Sequence, residues 1–584
     1  MNSGMTHSRK NNPSHGKASV SLQQQHKMYF DLLKKNPNNA EALIFLGKHE
    51  VKAGRVANAT PFFRRAYELD KQSVAPGLDY ALVLCAQNRK LEAIEILEKV
   101  AAMHVDRLDI AYLLANVLKD HGIETKSDSF VEKAIEIYAN ITRQHQDHPG
   151  ALNNFGISLL YLRKIKEAEC CFARAISLDE SNPLFYNNLS ITARLQHLAE
   201  HSVHCCRKAI QLRPDYPEAH NNLGNALKDL NDLPAAIEAY RRAVSLKPDP
   251  DYRCNLAMAL LATGDFKTGW EMYESRKASY ALRGSQPGLA QPQWLGEEAQ
   301  GKTLLIHSEQ GLGDTIQFCR YACMAEAKGL RVLLQVQRPL LRLVQSLSGN
   351  IRVVADVQHE TFDLQCPMMS LPLAFHTDID SIPSAKAYLF APEEKIRFWK
   401  DMLAGISQYK VGIVWSGQTM RHSSDLEFTN KQRSMPAEFF EQLQDRNDVC
   451  LFSLQKEGPK APDSLKAVDH MDQCEDFADT AALVMNLDLV VTVDTAVAHL
   501  AGALGKPVWV LNRFSGCWRW LRGRKDSPWY PTLRLFTQTA PGDWQGVIAE
   551  VKEALAREIA SQRTPGRPDG DATGRARKRC GRPG

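Results

Sequence analysis

Four stretches of this 584-residue sequence carry residue types that can do chemistry. In "HSEQGLGDTIQFCRYA", residues 307–322, Asp314 follows Gly311 and Gly313 where an apolar strand gives way to a helix. Aspartate is a preferred helix cap, so this turn is either a structural joint or a place where the glycines leave room for a substrate beside the carboxylate. "VDTAVAHLAGALG" is a second helix start, whose free backbone N–H groups favour an anion. Thr495 and His499 are four residues apart and share a helix face beside Asp494; a buried structural histidine is the plainer reading of His499. Ser416 and Gly417 open a long polar loop, "SGQTMRHSSDLEFTNKQRSMP", with Lys431 and Arg433 as either anion ligands or solvated charges. Arg433 is the stronger candidate because its fork reaches two oxygens. "WRWLRGRKDSPWYP" offers Trp518, Trp520, Trp529 and Tyr530 for stacking or for packing beneath a loop, with Arg522 and Arg524 nearby.

These residues fall in a stretch with the alternation of a parallel sheet and its crossover helices. From Gly301, strand "KTLLIH", helix "DTIQFCRYACMAEAKG", strand "RVLLQV", helix "RPLLRLVQSL" and strand "IRVV" form one unit, 300–395. A second unit, 408–558, begins at "KVGIVWSG" and continues through "VCLFSLQ", "DFADTAALVMN", "LDLVVTV", "TAVAHLAGALG" and "PVWVLN" to the last helix, "WQGVIAEVKEALAREI". Two Rossmann-like halves facing across a cleft suit a nucleotide-linked substrate.

The preceding 21–280 has a 34-residue period. Gly156, Ser190 and Gly224 occupy one small-residue position; Ala168, Ser202 and Ala236 lie twelve further on, followed by Phe172, Cys206 and Tyr240. Pro214 and Pro248 close their units. The pattern resembles the tetratricopeptide repeat, with about seven units and a capping helix near "QQQHKMYFDLLKKNP". Stacked helix pairs of this kind form an α-solenoid with a concave surface for a protein or peptide. The asparagine pairs Asn153 and Asn154, Asn187 and Asn188, Asn221 and Asn222 repeat at one helix position. The resemblance makes them candidates for holding an extended peptide backbone; bonding within the solenoid is the alternative.

Taken in order after these repeats, "HSEQGLGDTIQFCRYA", "VGIVWSG", "VVTVDTAVAHLAGALGKPVWVL" and "WRWLRGRKDSPWYPTLRLFTQ" resemble bacterial repeat-containing glycosyltransferases of the heptosyltransferase-like family, over about residues 40 to 550. The resemblance implies an α-solenoid followed by a GT-B-like pair of Rossmann-type α/β domains. It further implies inverting transfer from a nucleotide-sugar donor, with no metal and no cofactor. It places the catalytic base at Asp314, which takes the acceptor's proton while the departing diphosphate is stabilised. Glu309 and Gln317 either shape the same pocket or support the turn. The resemblance places donor contacts in the segment of Asp494, Thr495 and His499; Gly311, Gly313, Ser416, Gly417, Lys431, Arg433 and Arg522 are further donor-binding candidates from their own residue types and positions. Ala496 departs from the glycine typical after the Asp-Ser/Thr pair and narrows backbone access. Three roles remain open at this point: transfer to a protein bound by the repeats, transfer to a glycan or lipid-linked acceptor with the repeats serving assembly, and an inactive scaffold that keeps only the transferase-like fold.

Bulk composition fits a cytoplasmic protein. The 44% hydrophobic and 24% charged shares are those of a globular chain. The formal charge of +5 is matched by the local excess in "RTPGRPDGDATGRARKRCGRPG", so the body gives no support to nucleic-acid binding. Residues 1–20 and this tail, 561–584, read as unfolded extensions. No run approaches the ~18 apolar residues of a membrane span, and the 13 scattered cysteines form no paired CxxC sets.

Overall fold

A computed structural model describes residues 22–279, 288–417 and 424–563. The expected N-terminal extension lies outside these residues, as do loop positions 418–423 and the tail from 564. The chain divides into two compact units, residues 1–198 and 199–584.

The first unit is helical. After α1 (Leu22–Lys35) come α2 (Ala40–Lys52), α3 (Val56–Leu69), α4 (Val74–Ala86), α5 (Lys90–Met103), α6 (Leu108–Thr125), α7 (Asp128–Gln144), α8 (Pro149–Tyr161), α9 (Ile165–Leu178) and α10 (Pro183–Leu195). Their boundaries follow local chemistry. Asn39 and Asn182 cap α2 and α10 by accepting backbone N–H bonds, and Pro149 and Pro183 stand at first helical positions, where no partner for an N–H is lost. The small-residue positions explain the pairing: a Cβ on Gly156 would lie 2.6 Å from the Phe172 ring, so only glycine lets α8 meet α9 at that point.

The second unit opens with α11 (Ala199–Leu212), α12 (Pro217–Asp229), α13 (Leu233–Leu246), α14 (Pro250–Thr263) and α15 (Phe266–Tyr273). Gly224 repeats the Gly156 device, its Cβ position falling 2.5 Å from Tyr240. Two sheets follow, as the paired α/β reading requires. The first is parallel throughout, in the order β3-β2-β1-β4, with β1 (Thr303–His307), β2 (Arg331–Gln335), β3 (Ile351–Val354) and β4 (Leu364–Pro367). Its helices are α16 (Leu312–Phe318), α17 (Tyr321–Ala327) and the short α18 (Leu341–Val344) and α19 (Leu371–Ala374). After α20 (Glu393–Met402), the second sheet runs β10-β11-β9-β8-β5-β6-β7. Its strands are β5 (Tyr409–Val414), β6 (Val449–Ser453), β7 (Val468–Asp469), β8 (Leu489–Val493), β9 (Val508–Asn512), β10 (Asp526–Ser527) and β11 (Tyr530–Thr537), parallel except for the β10–β11 pair. The accompanying helices are α21 (Ser424–Arg433), α22 (Glu441–Gln444), α23 (Phe477–Met485), α24 (Ala496–Ala503) and α25 (Trp544–Arg563). Every residue of β8 and β9 is buried, which is why both are apolar but for Thr492 and Asn512.

Three local expectations change. The helix read through residues 314–329 is interrupted between α16 and α17. At that point Ala322 N–H turns back to Cys319 O at 3.0 Å, and the buried Arg320 guanidinium bonds to Gln317 O, Pro383 O, Trp529 O and Tyr388 Oη. The polar stretch 416–436 contains a ten-residue helix, α21, rather than loop throughout. The last helix continues to Arg563, three residues into the expected tail.

The last repeat is fastened to the first sheet by a buried ion pair. Arg276, 1% exposed, gives Nε to Glu309 Oε2 at 3.0 Å and Nη2 to Glu309 Oε1 at 2.7 Å. The same guanidinium reaches Ser370 and Glu274, and Glu309 also accepts from the Met369 N–H. Removing one partner strands a charge in the interior, which costs about 3–5 kcal/mol. Arg276→Met is therefore expected to destabilise the second unit by that amount, whereas Arg276→Met with Glu309→Leu recovers part of it. All nine tryptophans lie in this unit, so denaturant unfolding followed by tryptophan fluorescence reads the effect directly. An unchanged midpoint for Arg276→Met would exclude a fastening role.

Candidate functional site

The site lies where both sheets reverse strand order. In the first sheet β1 is flanked by β2 and β4, and in the second β5 is flanked by β6 and β8. Crevices at the carboxyl ends of such strands are where open α/β folds take ligands. β1 leads into Glu309 and Asp314, β5 into Ser416 and Gly417, and β8 into Asp494 and Thr495.

Gly313 brings the two crevices together. A Cβ there would stand 2.9 Å from His499 Cδ2 and 3.4 Å from Ala496 Cα, so α16 begins in direct contact with the first turns of α24. Asp314 supports the helix start and is an ion-pair partner: Oδ2 accepts the Gly311 N–H at 3.0 Å, and Oδ1 accepts from Arg519 Nη2. The N-cap of α16 is Gly311, and Asp314 is the third helical residue, reaching back to the Gly311 N–H. Ala496 opens α24 beside Gly313.

Arg519 was missed in the sequence because its partner lies 205 residues away; a charge inside the aromatic "WRW" was the available signal. The second half contributes three more arginines from neighbouring segments. Arg433 gives Nε to Asn430 Oδ1 at 3.0 Å and Nη1 to Asp494 O at 3.2 Å, against Gly417, whose added Cβ would meet Arg433 Nη2 at 2.4 Å. Arg513, also missed, reaches Gln432 Oε1 at 2.6 Å, and Arg522 reaches Phe514 O at 3.0 Å. The Nε atoms of Arg513, Arg519 and Arg522 are buried without a hydrogen-bond partner among the described residues. Burial, and then the Arg513 charge, push the Arg522 guanidinium down to about 10; burial lowers Arg513 as well. Arg519 moves the other way: burial lowers it, but the attractions of Asp314, Cys517 and Tyr273 together outweigh that burial.

Other sequence candidates are placed differently. Lys431 turns outward, 71% exposed, to pair with Glu427 at 3.1 Å, because in a helix it faces away from its neighbour Arg433. Thr495 bonds Thr492 Oγ1 at 3.0 Å, and Ser416 bonds Gly417 O and Ser434. Glu309 serves Arg276 and Gln317 is fully buried, so neither opens onto the turn. Trp518, Trp520, Trp529 and Tyr530 are buried: Trp518 packs on Trp270 and Phe318, Trp520 on His499, and Trp529 on Phe266 and Phe318. They are packing, not stacking platforms. Leu521, between Trp520 and Arg522, is held at φ +56°, a strained conformation for a residue with a branched side chain. Arg524 pairs with exposed Asp526.

In the repeats, the asparagines bond to their neighbours. Asn188 Nδ2 donates to Asn153 Oδ1 at 2.8 Å, Asn154 Nδ2 to Asn116 Oδ1 at 2.8 Å and Tyr112 Oη at 3.1 Å, and Asn255 Nδ2 to Asn221 Oδ1 at 3.0 Å. Asn153, Asn187 and Asn221 are buried, whereas Asn154, Asn188 and Asn222 keep partial exposure. Among the described residues, one group with metal-ligating atoms in reach is His26, His49 and Glu50, far from these turns in sequence; both Glu50 oxygens are already taken by Arg55 at 2.7 and 2.8 Å. No helix among the described residues is long and apolar enough to cross a membrane.

His499 is held neutral. Burial drives its proton affinity well below the ordinary value of 6.5, and Arg519, Arg320 and Arg433 add repulsion; Nδ1 meets Tyr530 Oη at 2.9 Å. Such a histidine leaves the native state fully stabilised above 6.5 and withdraws that stabilisation as pH falls below it, because the unfolded chain takes the proton first. Buried His307 acts in the same direction. Native stability is expected to fall between about pH 6.5 and 5, with a shallower slope in His499→Gln; identical slopes in denaturant titrations would dismiss His499 as a cause. Gly313→Ala should cost about 1–3 kcal/mol by forcing α16 off α24, read as a lowered denaturation midpoint, and no loss would contradict the close contact.

Comparison with known proteins gives matches in the repeats and in the second α/β half. Residues 434–512 match Glycosyltransferase family 9 (heptosyltransferase), and residues 50–117, 202–231 and 217–250 match tetratricopeptide repeat families. Protein FlbA of Caulobacter vibrioides (strain ATCC 19089 / CIP 103742 / CB 15) is 29% identical over 339 residues, 52% of this chain and 55% of the relative. The chain thus spans about half the length of the curated relative it matches. Among solved structures, a tetratricopeptide repeat protein from Parabacteroides merdae ATCC 43184 is 15% identical, covering 42% of this chain and 94% of that one, with a TM-score of 0.37. TTC0263, a thermophilic TPR protein in Thermus thermophilus, is 18% identical over 32% of this chain and 97% of that one, with a TM-score of 0.28. The fold is therefore read from the helices and sheets themselves. The chain combines tetratricopeptide repeats with a C-terminal glycosyltransferase family 9 (heptosyltransferase) segment.

Proposed function

We propose that this chain is a glycosyltransferase that moves a sugar from a nucleotide-sugar donor to an acceptor, with inversion and without a metal. One observation carries the reading. Asp314, at the carboxyl end of β1, is joined through Arg519 to the second half, where α24 begins at the carboxyl end of β8. In this reaction the Asp314 carboxylate takes the proton from the acceptor hydroxyl as that oxygen attacks the anomeric carbon. The bond from that carbon to the diphosphate oxygen breaks, and its electron pair leaves with the diphosphate. Arg433 and Arg522, with backbone N–H groups at the start of α24, receive the growing charge. Gly417 keeps the strand-to-loop turn of β5 open to Arg433. The repeats recruit the acceptor, a protein or peptide.

A second reading is an inactive scaffold, favoured by the fact that both Asp314 oxygens are engaged, one by Gly311 and one by Arg519. Calorimetry with a panel of nucleotide sugars, followed by transfer assays with Asp314→Asn, separates the two. The transferase reading expects donor binding in both proteins and a rate lowered about 10²- to 10⁴-fold in the variant. Binding without any transfer by the natural chain supports the scaffold. An undiminished rate in Asp314→Asn removes Asp314 from the role of base.

A further inference from the structure

We propose that Arg519 is a diphosphate ligand and that, by exchanging partners, it ties the release of Asp314 to the arrival of the donor. The inference rests on the donor reading above and adds a residue and an order of events to it. In the free chain the Arg519 guanidinium gives Nη2 to Asp314 Oδ1 and Nη1 to Cys517 Sγ at 3.2 Å, and its Nε is buried without a partner among the described residues. The side chain is 11% exposed and lies across the Trp518 ring, 4.3 Å from its centroid. A guanidinium so placed has given one carboxylate oxygen one arm of its fork, and has not used the paired geometry that a carboxylate or phosphate can fill.

The surroundings favour a stronger anion. Arg513 and Arg522 also carry unpartnered Nε groups, and burial together with mutual repulsion lowers the proton affinity of Arg522, while burial lowers that of Arg513. Arg433 stands against Asp494 O, and His499 feels both it and Arg519. His499 is itself held neutral, so it adds no competing charge. Asp494 and Asp229 offset part of the positive potential at Arg513, but the ion-pair partner of Arg519 is Asp314.

A diphosphate brings several oxygens and more than one negative charge to the same fork. When Arg519 turns to it, the Asp314 Oδ1 atom loses its cation while Oδ2 remains tied to the Gly311 N–H. The exchange moves no proton and breaks no covalent bond. Its consequence is order: the carboxylate that must accept a proton is freed only once the leaving group is in place, so donor precedes acceptor.

Competition for one guanidinium has a thermodynamic signature. Inorganic pyrophosphate and uridine diphosphate, titrated calorimetrically into the full chain, should bind about five- to tenfold more tightly to Asp314→Asn than to the natural chain, because the competing carboxylate is gone. Arg519→Gln should bind roughly tenfold more weakly, and Asp314→Asn added to Arg519→Gln should then gain nothing. That last comparison separates partner exchange from simple repulsion, which would tighten binding equally in both backgrounds. Arg519→Lys, which keeps the charge and loses the fork, and thermal melting of each protein guard against misfolding. Uridine diphosphate or pyrophosphate binding that is unaltered by Asp314→Asn, or altered equally in both backgrounds, overturns the exchange and leaves the donor reading standing. Absence of binding to every folded variant, repeated with adenosine, guanosine and cytidine diphosphates, overturns both.

Discussion

The contact between Gly313 and the first turns of α24 is the constraint on which the site depends. Each sheet alone offers only a crevice at its strand ends, with a carboxylate at one and a helix start at the other. Chemistry that uses both needs them within reach of one acceptor and one leaving group, and a side chain at residue 313 would hold them apart by colliding with His499. The glycine here therefore serves inter-helix distance: no unusual φ is recorded for it, and the space is what matters. With α16 on α24, Asp314 pairs with Arg519 across the join.

Holding arginines in such a place is costly, and the aromatic packing explains how the cost is met. Trp518, Trp520 and Trp529 fix the segment carrying Arg519 and Arg522 by interlocking with Trp270, Phe318, His499 and Phe266. Buried aromatic surface of this extent contributes several kcal/mol, enough to sustain the strained Leu521 backbone, a penalty of about 1–3 kcal/mol. The rigid segment then presents guanidiniums whose Nε groups are short of partners. On the proposed donor reading, such a site is prepared for an anion in advance, and little reorganisation remains when one arrives.

Periodicity made the architecture legible. A 34-residue repeat of small residues and proline stops depends on neighbours in sequence, and so does the alternation of apolar strands with helices; both survive in a linear reading. The turn at Asp314 and the helix start at Asp494 were legible for the same reason, each being the end of a strand. What could not be read was whatever depended on distant partners. Arg519 needs Asp314, 205 residues earlier, and Arg276 needs Glu309 and Ser370. A loop leaves both Lys431 and Arg433 free to reach one anion; a helix over 424–433 sends the two in different directions. The aromatics near Arg519 offered surface for stacking, and only the fold shows that other rings already cover it.

The last repeats complicate any division between an array that binds and a domain that reacts. Trp270 of α15 packs against Trp518 and Phe318, and Arg522 N–H bonds to Ala262 O at the end of α14. Arg276, just beyond α15, holds Glu309, five residues before the candidate base. α14 and α15 thus brace both the turn that carries Asp314 and the segment that carries Arg519. Displacing them shifts the two partners of the ion pair separately, since one is reached through Glu309 and the other through Trp518. The final repeats are consequently part of the framework that sets the distance between carboxylate and guanidinium, and this fixes where the repeat array stops being a separable module: before α14, within the second unit, and not at the first strand of the α/β region.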